Sequence, residues 1–235
     1  MEAGGRRRGL VLERVVLLGR TLDEYRRYFA LDLSDWRGRA VLDVASGVSS
    51  FACEANAAGL RVTACDPIYS LTPEVLRPRC EADLDLVVNG VRGLATYAWG
   101  FYQTPERLRT FREAAYRTFL KDFGRNRSRY VVGQLPALPF ADGAFDLSLV
   151  SYLLFAYEEQ FDYEFHRRAV LELMRVTRGE LRMYPVVSFE ARRSPYIAQF
   201  EADPSLTHLS FEVVETDFEF LRNSNYFLRV TRRQA

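Results

Sequence analysis

The chain has 235 residues, with 32 basic and 31 acidic side chains and a net charge of +1. Its composition, 48% hydrophobic and 27% charged, is that of a globular protein and excludes a disordered chain or a strongly basic tail. The first apolar run is broken by Glu13 and Arg14, and no run is long enough to cross a membrane, so we expect neither a signal peptide nor a membrane span. Cys53, Cys65 and Cys80 complete no disulfide set and lack metal-ligand spacing, which predicts a cytoplasmic protein without a metal site.

The first third of the chain predicts the start of a parallel sheet. Residues 10–30 are predicted to be helical, because Thr21 and Glu24 have the spacing of a capping box and apolar residues recur on one face. Residues 39–45 have the continuous apolar run of a buried strand, and residues 61–66 form a second strand after a small-residue loop and a helix. Together they have the size of a βαβ unit.

Residues 70–128 interrupt this alternation. Only residues 84–88 resemble a strand, whereas residues 105–123 have helical periodicity. We therefore expect a helical insertion that caps the carboxyl edge of the sheet.

The alternation then resumes to the end of the chain. Helices are predicted at residues 159–176 and 192–203, and strands at residues 129–133, 145–155, 179–187, 209–216 and 226–232. The whole pattern predicts one α/β domain over residues 1–235, with a doubly wound, seven-stranded mixed sheet, a helical N-terminus and the helical insertion.

Ligands of such sheets bind beyond the carboxyl ends of the strands. In this chain the first predicted strand ends in small residues. Ser46 and Gly47 let a ligand approach the backbone closely, and the next helix offers free N–H groups. The second strand ends in Asp66, whose carboxylate can accept hydrogen bonds from both ribose hydroxyls and would repel a 2′-phosphate. The dinucleotide pattern fits poorly, since two of its glycines are replaced by Ala45 and Ser50.

Four segments carry a resemblance to a known family. Residues 43–49 match the pattern acid-x-Gly-x-Gly-x-Gly, with Ala45 and Ser49 in place of two glycines. Residues 133–140 resemble a loop that flanks adenine, residues 141–147 resemble the start of a fourth strand, and the last strand pair resembles a terminal antiparallel hairpin. In this order they resemble the class I S-adenosylmethionine-dependent methyltransferases, which implies a Rossmann-like fold and S-adenosylmethionine as cofactor.

The resemblance implies a role for each matching residue on the methionine and ribose side. Asp43 would orient the methionine ammonium through water or a loop amide. The backbone of Ala45, Ser46 and Gly47 would line the methionine and ribose, and Asp66 would hold the ribose hydroxyls.

On the adenine side, Pro67 and Ile68 would pack on the ring. Gln134 would bond the adenine amino group while Leu135 covers the ring. Ser151 and the adjacent Tyr152 follow the fourth strand, where members of the family often place groups that face the substrate.

A general base has two candidates, Tyr152 and His166. His166 lies four residues after Asp162, on the same face of a predicted helix. The two side chains could act together as a general base, or they could form an ordinary pair on the helix surface, and the sequence leaves both alternatives open.

The aromatic run Tyr97, Trp99, Phe101 and Tyr102 in the insertion predicts a substrate pocket that becomes more ordered when cofactor binds.

We expect methyl transfer to a small or medium organic acceptor, since the nucleic-acid amino-methyltransferase signature is absent after the fourth strand and no cysteine follows Cys80. Two alternatives stay open. One is a cofactor-binding scaffold without transfer activity, suggested by the replaced glycines. The other is an RNA methyltransferase, suggested by arginine clusters at residues 6–8 and 125–129, although the balanced charge disfavours a nucleic-acid partner.

Overall fold

The computed structural model describes residues 9–233. Its strands are β1 (Ala40–Val44), β2 (Arg61–Cys65), β3 (Tyr130–Val131), β4 (Phe145–Ser151), β5 (Thr177–Tyr184), β6 (Leu209–Glu215) and β7 (Tyr226–Arg232). Its helices are α1 (Leu22–Tyr28), α2 (Phe51–Ala57), α3 (Pro73–Val91), α4 (Pro105–Phe123), α5 (Tyr163–Val176) and α6 (Tyr196–Ala202), with four short 3₁₀ turns between them.

All seven strands form one sheet in the order β3-β2-β1-β4-β5-β7-β6. The first five are parallel neighbours, and β7 is antiparallel to both β5 and β6. The strand order reverses between β1 and β4, which places a crevice at their carboxyl ends. The predicted doubly wound, seven-stranded mixed sheet with a terminal antiparallel hairpin is confirmed.

The predicted N-terminal helix is wrong for its first half. α1 begins only at Leu22, with Thr21 and Glu24 in the expected capping box. Residues 10–20, which we call the N-terminal strap, form neither helix nor strand.

Distant partners hold the strap in this extended path. The Leu17 N–H donates to the Asp83 carboxylate at 2.7 Å, and the Val16 N–H donates to the Tyr157 hydroxyl at 3.2 Å. A side chain at Gly19 would meet the Val48 carbonyl oxygen at 2.4 Å, so only glycine allows the strap to pass so close. Tertiary contacts therefore override the local helical pattern.

The insertion is helical, as predicted, and consists mainly of α3 and α4. Residues 84–88, the one segment of the insertion that resembles a strand in sequence, lie inside α3. Leu84, Val87, Val88 and Val91 are buried there at helical spacing.

Aromatic stacking fixes α1 against the rest of the fold. The Tyr28 ring stacks on Tyr184 of β5 with 4.4 Å between centroids, and the Tyr25 ring stacks on Phe51 of α2 at 4.0 Å. These contacts hold the end of the strap beside the carboxyl ends of the central strands.

Within residues 9–233, no helix is both long and apolar enough to span a membrane.

Candidate functional site

A cavity of about 390 Å³ lies at the carboxyl ends of β1, β2 and β4. This volume suits a small-molecule ligand, and its place is the switch point of the sheet. The structure brings most of the predicted site residues into its wall: Ala45, Ser46, Gly47, Asp66, Pro67, Ile68, Gln134, Leu135, Ser151 and Tyr152.

The loop after β1 presents bare backbone to this cavity. Gly47 has a φ of 56°, and a Cβ built there would meet no atom within 4 Å, so the glycine faces open space. A ligand can therefore lie directly against the main chain. Ala45 has a φ of 54°, a left-handed conformation that strains any residue with a Cβ.

Asp66 ties this loop to the one that follows β2. Its carboxylate accepts hydrogen bonds from the Gly47 N–H at 2.9 Å and the Ile68 N–H at 3.0 Å. Each oxygen keeps a second lone pair for a ribose hydroxyl. Burial raises the pKa of this carboxyl, which is only 8% exposed.

Asp43 lies behind the cavity wall. It is fully buried, and the Tyr25 hydroxyl donates to its carboxylate at 2.9 Å while the Ser46 hydroxyl also donates to it. Burial is the main reason that its pKa rises to about 7, against the opposing effect of these hydrogen bonds, and the charge of Asp66 adds to the rise. Asp43 can therefore act on a ligand through Tyr25 and Ser46, which line the cavity.

Ser151 offers an unused hydrogen-bonding group. Its hydroxyl is buried at the end of β4 and has no partner among residues 9–233. Because buried polar groups are normally paired, this orphan atom in the wall is suited to a ligand. The open face of Gly47 and the orphan Ser151 hydroxyl both fit a bound nucleoside cofactor.

Tyr152 lies at the edge of the cavity beneath a guanidinium. The Arg20 guanidinium carbon is 4.1 Å from the Tyr152 ring centroid. Burial raises the pKa of the Tyr152 phenol, so this side chain stays protonated at neutral pH and can donate a hydrogen bond.

His166 does not line the cavity, which corrects the expectation of a base at this position. It is fully buried, with Nδ1 2.8 Å from the Asp162 main-chain oxygen and its ring 4.6 Å from that of Tyr196. The Asp162 carboxylate instead caps α5 by accepting from the Phe165 N–H. Burial lowers the pKa of His166, consistent with a neutral core residue.

The aromatic run of the insertion does not line the cavity either. Tyr97 and Trp99 pack their rings on Phe220, and Phe101 packs on Phe218, in the segment before β7. The insertion contributes only Arg79 to this cavity, whereas Tyr97 lines a smaller cavity beside it, so the predicted part of the insertion in a substrate pocket stays a prediction.

The strap covers this cavity, a position that was not predicted from the sequence. Residues 15–18 and Arg20 line the cavity, together with Phe161 and Phe165 from the other side. Sequence reasoning missed Arg20 because residues 10–30 were interpreted as one helix. Its position directly before the capping residue Thr21 was the available signal.

In the part of the chain that the structure describes, no group of three or more His, Cys, Asp or Glu side chains is arranged to hold a metal ion.

No known family model matches the chain. It is 35% identical over 227 residues to the uncharacterized protein MJ0045 of Methanocaldococcus jannaschii, over 96% of this chain and 100% of that one. Among solved structures it is similar to magnesium protoporphyrin IX methyltransferase of Synechocystis PCC 6803 with bound SAM, at 12% identity and a TM-score of 0.47, over 90% of this chain and 78% of that one. It is also similar to a SAM-dependent methyltransferase of Aquifex aeolicus, at 12% identity and a TM-score of 0.40, over 89% and 94% of the two chains.

Proposed function

We propose that this chain, which belongs to the same family as the Methanocaldococcus jannaschii protein MJ0045, is an S-adenosylmethionine-dependent methyltransferase acting on a small or medium organic molecule. One observation carries the proposal. The bare backbone of Gly47, the carboxylate of Asp66 and the orphan hydroxyl of Ser151 all line one cavity at the switch point of a class I methyltransferase sheet.

The wall residues suit the two halves of the cofactor. Asp66 would accept hydrogen bonds from the ribose hydroxyls, and Gly47 leaves room beside the loop for the methionine part of the cofactor. Apolar surface from Ile68 and Leu135 would pack on the adenine ring, with the Gln134 amide at its edge.

When bound, the cofactor supplies a sulfonium methyl group for in-line attack by a lone pair of the acceptor. The protein contributes alignment and the exclusion of water, which the strap provides by covering the cavity with Val15, Val16, Leu17 and Leu18. The protonated Tyr152 phenol at the cavity edge would donate a hydrogen bond that orients the acceptor. A base at Tyr152 or His166 forms no part of this proposal.

Two of the three arginines in the second cluster are held by contacts within the fold, which gives the RNA alternative little support. Arg127 donates to the Tyr69 and Leu71 carbonyls, and Arg129 forms an ion pair with Asp122 at 3.3 Å. Residues 6–8 lie outside the described residues.

Incubation of a cell lysate with the protein and methyl-labelled S-adenosylmethionine, followed by separation of small molecules from RNA, tests the function. We expect label in a small-molecule product with the wild type and little with Asp66→Ala. Label confined to RNA would contradict the small-molecule acceptor, and no transfer despite cofactor binding would favour the scaffold.

A further inference from the structure

A second, much smaller cavity adjoins the first. This inner chamber has a volume of about 50 Å³, room for a group the size of a carboxylate but not for a whole acceptor. Val16, Leu18, Arg20 and Tyr152 line both cavities and form the junction between them. A molecule at the junction can therefore reach into the chamber with one small group.

The wall of the chamber is apolar apart from two guanidinium groups and phenol hydroxyls. The guanidiniums belong to Arg20 and Arg112, and no carboxylate among residues 9–233 lines the chamber. A positively charged group would be repelled there, so the chamber excludes an amine in its charged form.

Only one of the two arginines has a counter-charge. Arg112 forms a buried ion pair with Glu24 at 2.6 Å and donates to the Gly19 carbonyl at 2.9 Å. Arg20 has no carboxylate within 4.0 Å in the described part of the chain, and its guanidinium rests on the Tyr152 ring. The junction thus holds one guanidinium without a direct ion-pair partner, since the carboxyls of Glu24 and Asp43 interact with Arg20 only at longer range. A guanidinium in largely apolar surroundings favours an anion beside it.

Both arginines also have an unused donor. The Nε atoms of Arg20 and Arg112 are buried, and neither finds a hydrogen-bond partner within residues 9–233. Buried N–H groups without partners are rare because leaving them unpaired is destabilising. A carboxylate offers two acceptor oxygens and matches guanidinium geometry.

We propose that the inner chamber binds the carboxylate of the methyl acceptor, so that the acceptor is an apolar molecule that carries an acid group. This inference rests on the proposed methyl transfer. The methionine carboxylate of the cofactor suits the chamber less well, because the ammonium on the same carbon would be brought beside the Arg20 guanidinium with no acid in the chamber wall.

Calorimetry with benzoate as the acid probe and benzamide as its neutral counterpart tests the site. The titrations are made on the free protein and on protein saturated with S-adenosylhomocysteine. We expect benzoate to bind at least about tenfold more tightly than benzamide, since its contacts are charge-assisted. We also expect the same preference in both states, because the chamber lies beside the cofactor cavity.

Val87→Phe fills the chamber without touching the larger cavity, since Val87 is buried in the wall of the chamber alone. Leu86→Phe adds the same ring at the neighbouring position, where Leu86 is 50% exposed. Val87→Phe should lose benzoate binding and keep its affinity for S-adenosylhomocysteine, whereas Leu86→Phe should match the wild type in both. Arg20→Gln should lose the preference for benzoate over benzamide.

Three results would overturn the anion site. They are equal binding of benzoate and benzamide, undiminished benzoate binding by a folded Val87→Phe, and displacement of benzoate by S-adenosylhomocysteine, which would assign the chamber to the methionine carboxylate. A wild type that prefers benzoate but binds neither S-adenosylmethionine nor S-adenosylhomocysteine would support the anion site and contradict the proposed methyl transfer.

Discussion

The buried carboxyl of Asp43 predicts an unusual dependence of stability on pH. Its pKa in the folded chain is about 7, raised from 3.8 chiefly by burial. The folded state therefore holds this proton between about pH 4 and pH 7, where the unfolded chain has lost it. Stability contributed by the protonated form is complete below the lower value and is lost as pH rises towards 7.

The size of the effect follows from the two pKa values. Each unit of difference is worth about 1.4 kcal/mol, so the loss between pH 4 and pH 7 amounts to about 4 kcal/mol. Asp43→Asn does not titrate, and its amide oxygen still accepts from the Tyr25 or Ser46 hydroxyl. Between pH 4 and pH 7 the free energy of unfolding of the variant should rise by about 4 kcal/mol relative to that of the wild type. Above pH 7 the difference between the two proteins should stay constant.

Urea unfolding of both proteins from pH 4 to pH 8.5 measures this difference. Asp146→Asn is the matched control on β4, because the Arg178 guanidinium lowers the pKa of Asp146 below its usual 3.8, so that the difference in stability from the wild type should stay nearly constant from about pH 4.5 to pH 8.5. Parallel stability curves for Asp43→Asn and the wild type between pH 4 and pH 7 would refute the reasoning, since they would mean that folding does not perturb this carboxyl.

Three further substitutions test individual contacts. Asp66→Ala should weaken S-adenosylhomocysteine binding by about 1–3 kcal/mol in calorimetry, because two ribose hydroxyls and two loop N–H groups lose their acceptor; unchanged affinity in the folded variant would place the ribose elsewhere. Ala45→Gly should raise the free energy of unfolding by about 0.5–1 kcal/mol, since glycine adopts a φ of 54° without strain; a loss of stability in urea would contradict this. Arg112→Met should lower the free energy of unfolding by about 3–5 kcal/mol, because it leaves Glu24 charged and unpaired in the core; adding Glu24→Gln should restore part of the loss, and equal instability of the double variant would argue against the ion pair.

The sheet and the first ligand loop were predictable because their signals are local. Buried parallel strands such as β1 and β4 are continuous apolar runs, and small residues at 45–47 mark a turn against which a ligand can lie. Asp66 was identifiable as a site residue for the same reason, since a carboxylate directly after a buried strand must lie at the ligand-binding edge.

The features that sequence reasoning missed depend on partners far away in the chain. The strap has an apolar pattern compatible with a helix, and its extended path follows from contacts with Asp83 and Tyr157 that no local pattern shows. The aromatic rings of the insertion pack on residues of the segment before β7, such as Phe220. His166 lies on the buried face of the amphipathic helix α5. In each case the sequence shows the residue types, but their spacing alone does not show the surface against which they pack.

Binding of the cofactor tests the central claim most directly. Calorimetric titration of the wild type with S-adenosylmethionine, S-adenosylhomocysteine and NAD should show saturable one-to-one binding of both sulfur ligands and none of NAD. Tighter binding of NAD, or no binding of either sulfur ligand by the folded protein, would contradict the account.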